Sequence, residues 1–88
     1  MGTRIDSTTT LLQNMFLNCN VSPTTIMHYA DSKHKMCNKC KIIDETNADA
    51  TFIFEFDTET LIYKFNFIKT PLSGIPLIKK IEFLGFAE

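Results

Sequence analysis

Hydrophobic residues follow two different rules along this chain, and the rule changes near its middle. Leu11, Leu12, Met15, Phe16 and Cys19 recur at spacings of three and four, which places them on one helical face. This predicts a helix over residues 8–18, with Asp6 to Thr10 as candidate caps for its orphan N–H groups. Asn18 and Asn20 tolerate the left-handed conformation that ends a helix. Ser22-Pro23 reads as a second start, because Ser caps and Pro at the first position gives up no needed donor. Ile26, Tyr29 and Ala30 would form the buried stripe of a helix over residues 23–33, ended by Asp31-Ser32-Lys33.

Beyond Cys40 the pattern alternates. Phe52, Phe54 and Phe56 share one face of a predicted strand over residues 51–56. Leu61, Tyr63, Phe65 and Phe67 share one face of a second, over residues 61–68, with Lys64 and Asn66 on the other. Asp57-Thr58-Glu59-Thr60 between them has hairpin length. Gly74 and the prolines at 71 and 76 mark a loop. Residues 77–86 read as the last strand, with Gly85 a candidate bulge. Residues 41–43 read as a short strand or as the exit from a knuckle, and residues 44–50 as a polar loop.

The expected fold is α+β in a single domain: two N-terminal helices, then an antiparallel sheet of three strands, or four if residues 41–43 pair. The helical part spans 8–33, a Cys/His/Lys junction 34–41, and the sheet 51–86. The helical stripe is the only cover within the chain for the Phe-rich face. Leu12, Met15, Phe16, Ile26, Tyr29, Phe52, Phe54, Phe65 and Phe67 are therefore the expected core. Ile53, Ile62 and Ile68 fall on the opposite face, which leaves that face partly apolar and open to a partner.

Composition narrows the class. The 88 residues are 44% hydrophobic, with eight Phe and no Trp, enough for a core and too apolar for a disordered chain. A domain of this size buries roughly 60–65% of its unfolded surface, so a metal, a disulfide or a second chain would add to its stability. The net charge of -1 provides no global basic field for non-specific nucleic-acid binding. The three cysteines are an odd number, and residues 1–10 are polar with no apolar leader core. No run approaches the ~18 apolar residues of a membrane span. These features indicate a reducing, cytoplasmic setting and no membrane. Ile, Lys, Asn, Phe and Thr, all with AT-rich codons, are frequent, which fits a virus, a phage or another AT-rich genome. The setting would then be host cytoplasm.

Two constellations carry candidate chemistry. In the first, Asn20-Val21-Ser22-Pro23-Thr24-Thr25-Ile26 resembles the turn and recognition-helix start of helix-turn-helix DNA-binding regulators, within residues 12–31. Asn20 stands where that family often has Gly in a left-handed turn. Met15, Cys19, Val21, Ile26 and Tyr29 stand where it buries apolar side chains. The resemblance implies that Ser22, Pro23, Thr24, Met27 and His28 face a DNA groove or its phosphates. The chain departs from the family at Phe16, where a small residue is usual, and in offering no Arg, Asn or Gln to read base edges. An ordinary pair of amphipathic helices with a capped turn has the same pattern.

The second constellation is His34, Cys37 and Cys40. Cys-x-x-Cys lets two thiolates reach one Zn²⁺ at about 2.3 Å, and His34 would be a third ligand. His28, Cys19, Asp31 and Asp44 are the candidate fourth donors. Lys33, Lys35, Lys39 and Lys41 flank the pair and would lower its thiol pKa values. Two free thiols or a redox-active disulfide satisfy the same spacing. Cys19 alone reads as a small core residue.

No nucleophile-base-acid set and no Gly-rich phosphate loop is readable, so an enzyme is not expected. Two functions remain. One is a small regulator that binds a host protein through Ile53, Ile62 and Ile68. The other is a nucleic-acid-binding regulator that uses Ser22, Thr24, His28, Lys33, Lys35, Lys39 and Lys41, with a zinc knuckle beside them. Pairing of two copies through the last strand or the Ile53 face is a further expectation.

Overall fold

A computed structural model of the chain describes residues 3–33, 37–69, 71 and 74–87. Helix α1 runs Thr3–Phe16 and α2 runs Pro23–His28, continuing into a π-helical turn over Tyr29–Lys33. Strands β1 (Lys39–Glu45), β2 (Asp49–Glu55), β3 (Thr60–Ile68) and β4 (Leu77–Phe86) follow. They form one antiparallel sheet in the order β1-β2-β3-β4. The arrangement is α+β, helices first and sheet second.

Residues 44–50 are not the polar loop that their composition suggests. β1 runs on to Glu45, and β2 starts at Asp49. Thr46 makes this tight connection: its hydroxyl accepts from the backbone N–H groups of Ala48 and Asp49, each at 3.1 Å. Side-chain bonds of this kind stand in for a backbone turn. The Cys/Lys junction is thus partly strand, and the sheet has four strands.

α1 starts at Thr3 rather than at residue 8. Asn18, with φ of 63°, takes the left-handed position that ends it. Asn20 does not share that conformation. It forms a bridge with Leu77, and its side-chain amide donates to the Ile75 carbonyl at 3.2 Å. The inter-helix segment is laced to the start of β4: Asn18 N–H to Ile78 O at 2.7 Å, Ile78 N–H to Cys19 O at 3.0 Å, and Val21 N–H to Pro76 O at 3.1 Å. Ser22 caps α2 by accepting from Thr25 N–H at 3.3 Å.

The helices pack on the Phe-rich face. Leu12, Phe16, Ile26 and Ala30 meet Phe52, Phe54, Leu61, Tyr63, Phe65, Ile78 and Ile81 in one buried cluster. Phe65 sits at its centre, its ring centroid 4.8 Å from that of Phe52 and 6.2 Å from that of Phe16. Tyr63 is fully buried; its hydroxyl donates to the Ile5 carbonyl at 3.2 Å and lies 2.7 Å from Thr9 Oγ1. The expected core needs three corrections. Met15 and Phe67 are half-buried at its margin, and Tyr29 is 37% exposed. Ile26 and Ala30, four positions apart, take the buried line of the second helical segment. Tyr29 lies beside that line, edge-on to Phe16 at 6.0 Å.

Candidate functional site

Strand alternation sends every second residue of β1–β3 away from the helices. On this outer face Ile53 and Ile62 are directly paired across β2 and β3, both half-buried. Ile68 shares the face but lies at the far end of β3, paired with Leu77 and half exposed. The structure therefore joins Ile53 to Ile62 and leaves Ile68 apart. It adds Ile43, 53% exposed, which the sequence reading missed. The β1–β2 register shifts between Ile42 and Asp44, so Ile43 is the extra residue of a bulge. Asp44 pairs with Thr51 and faces outward, so the bulge sets Ile43 beside it on the same face.

Ion pairs flank this apolar centre. Lys41 Nζ lies 3.4 Å from Glu55 Oε2, and Lys64 Nζ 3.7 Å from Asp49 Oδ2. All four residues are on the outer face by their pairings. An apolar centre with a charged margin is the usual build of a protein-binding surface.

The residues expected to face nucleic acid do not form one group. Thr24 and His28 are exposed on α2. The Ser22 hydroxyl is engaged in the cap and lies 2.9 Å from Thr25 Oγ1. Lys39 and Lys41 are exposed on β1, paired with Glu55 and Ile53, and face away from the helices. Cys40 and Ile42 take the inward positions, so alternation forces the lysines outward. Lys39 and Lys41 are thus on the opposite side of the sheet from the α2 surface. Lys35 and the side chain of Lys33 lie outside the described residues.

Cys37 and Cys40 come together, but in the core rather than in a basic surface loop. They are only 8% and 2% exposed, and Cys37 Sγ lies 3.9 Å from the Ala30 carbonyl. Burial pushes the Cys37 thiol up to about 11, with Asp31 adding to the rise. Burial pushes Cys40 up to about 12, with Cys37 and Asp31 adding to it. Lys39 lowers the Cys37 value only through its backbone N–H, because its side chain, like that of Lys41, projects from the other face of the strand. Among the described residues no three His, Cys, Asp or Glu side chains are grouped to hold a metal. His34, the expected third ligand, lies outside the described residues.

Cys19 is exposed rather than core. It borders a cleft of about 370 Å³ between the helices, lined by Met15, Phe16, Val21, Thr25 and Tyr29. The inter-helix bonds to β4 hold Cys19 at the surface, so its apolar spacing did not make it core. The thiols of Cys19, Cys37 and Cys40 are all free. Among the described residues no helix is long and apolar enough to cross a membrane.

Comparison of the chain with protein-family models, with curated proteins and with solved structures finds no match.

Proposed function

We propose that this is a small non-enzymatic regulatory protein, of viral or phage origin, that acts in host cytoplasm by binding a host protein. The observation that carries the reading is the outer face, turned away from both helices, with the Ile53–Ile62 pair at its centre and Ile43 beside it. Apolar side chains held rigidly in a sheet lose little entropy on docking, and the neighbouring ion pairs exclude mismatched partners.

The second reading is a helix-turn-helix regulator with zinc on His34, Cys37 and Cys40. It is favoured by the capped start of α2 and by the exposure of Thr24 and His28. It is weakened by the separation of Lys39 and Lys41 from that helix.

Capture from nuclease-treated host lysate separates the two. Wild-type protein retains its partner. Ile62→Glu, checked for folding by circular dichroism, weakens capture by about tenfold or more, the loss expected at an interface centre. Thr24→Ala/His28→Ala has no effect. Capture that nuclease abolishes, and that the α2 variant loses, would overturn the reading in favour of nucleic acid.

A further inference from the structure

The two edges of the sheet differ. The outer edge of β4 is occupied at its start by residues 18–21 through the bonds at Ile78 and the bridge at Leu77. Further along, register shifts against β3 leave Lys79 and Leu84 as extra residues, and Gly85 has φ of 143°. Two bulges and the kink at Gly85 twist this edge away from a further strand. The outer edge of β1 carries a single bulge, at Ile43, and no described segment is bonded along it. Among the described residues no backbone hydrogen bond joins it to another element, and Lys39, Lys41, Ile43, Asp44 and Glu45 are all exposed.

Charges along this edge are sorted. Lys39 and Lys41 occupy its first half, and Asp44 and Glu45 its second. A strand that only needed protection from aggregation could carry its charges in any order. Sorted charges are self-complementary in one orientation alone. An antiparallel copy sets Lys41 against Asp44, whereas a parallel copy sets like against like.

We propose that β1 pairs edge to edge, antiparallel, with β1 of a second copy of this chain, about a two-fold axis at Ile42. The faces agree with this register. Ile42 and Cys40 face inward, and Lys41 faces outward through its pairing with Ile53. Ile43 and Asp44, the two bulge residues, also face outward, through the pairing of Asp44 with Thr51. Lys41 of one copy therefore meets the Ile43–Asp44 pair of the other on a shared face. Glu45, paired with Ala50, faces inward opposite Cys40. The product is a continuous eight-stranded sheet in which Ile43, Ile53 and Ile62 of both copies form one outer surface. Association of this kind is isologous, so each charge pair occurs twice. It does not depend on the host-protein reading, because it is read in purified protein.

Sedimentation velocity over a concentration series tests it. Wild-type protein will show a monomer–dimer equilibrium that weakens as salt is raised. Lys41→Glu and Asp44→Lys will each weaken dimerisation at least about tenfold, because each sets like charges opposite one another twice. Lys41→Glu/Asp44→Lys will restore it, and amide hydrogen exchange will show β1 gaining protection with concentration while β4 does not. Circular dichroism of each variant separates loss of pairing from loss of fold. A wild-type protein that stays monomeric throughout, or a dimer indifferent to both single substitutions, overturns the proposal.

Discussion

Phe65→Ala will destabilise the protein by about 3–5 kcal/mol, the usual cost of a buried Phe truncation. The side chain has no solvent exposure and packs between Phe16 of α1 and Phe52 of β2. Its removal deletes the Phe16–Phe65 ring contact between the helical layer and the middle of the sheet. The cavity cannot collapse easily, because Tyr63 on the same strand is fixed by its hydroxyl bonds to the N-terminal helix. A domain of this size has a total stability on the order of 5–10 kcal/mol, so the variant will be largely unfolded well below the wild-type melting point. Urea titration measures the loss through the shift in midpoint. Ile53→Ala on the outer face will cost much less. A loss under about 1 kcal/mol for Phe65→Ala would mean that the sheet presents its other face to the helices.

Alkaline pH will unfold the protein through Cys37 and Cys40. Both thiols are raised in the folded chain, to about 11 and about 12, above their ordinary value of 9.0. The folded state therefore binds more protons than the unfolded state between those values. A group raised on folding contributes stability that is complete below its unfolded pKa and is lost as pH climbs toward its folded one. Stability will be flat from neutral pH to about 8 and then fall steeply above about 9, the ordinary thiol value. Cys37→Ala/Cys40→Ala will remove the part of this limb that begins near 9, leaving the contribution of Tyr63, whose buried hydroxyl is also raised above its ordinary 10.0. Thiol titration gives the same answer: at neutral pH the exposed Cys19 will react at once with a disulfide reagent, and the buried pair only on unfolding. Three thiols reacting together in the native protein would contradict the burial. So would a stability that does not change between pH 8 and pH 11.

The layers of the fold were legible because they rest on periodicity. Leu12, Phe16 and Ile26 at helical spacing, and Phe52, Phe54 and Phe65 at alternating spacing, needed nothing beyond local pattern. β1 was harder. Lys39-Cys40-Lys41-Ile42 alternates cleanly, but the bulge at Ile43 breaks the period and the acidic residues after it look like loop. A turn closed by the Thr46 hydroxyl lacks the Gly or Pro that usually marks one. The Cys-x-x-Cys spacing suggests metal chemistry but does not show that the alternation building β1 buries Cys40 and turns Lys39 and Lys41 outward. The lacing of residues 18–21 to β4 had no local signal, since it joins positions almost sixty residues apart through backbone groups. The Ile53–Ile62 pair was legible as a shared face. Its extension to Ile43 depends on a register shift that only the three-dimensional pairing shows.

The proposed function requires that the outer face of the sheet meet a protein. The most direct test places a photoreactive amino acid at Ile62 in one sample and at His28 in another, and irradiates each in host lysate. One discrete protein adduct, resistant to nuclease, is expected from position 62 and none from position 28. A nuclease-sensitive adduct from position 28, with position 62 silent, would contradict it.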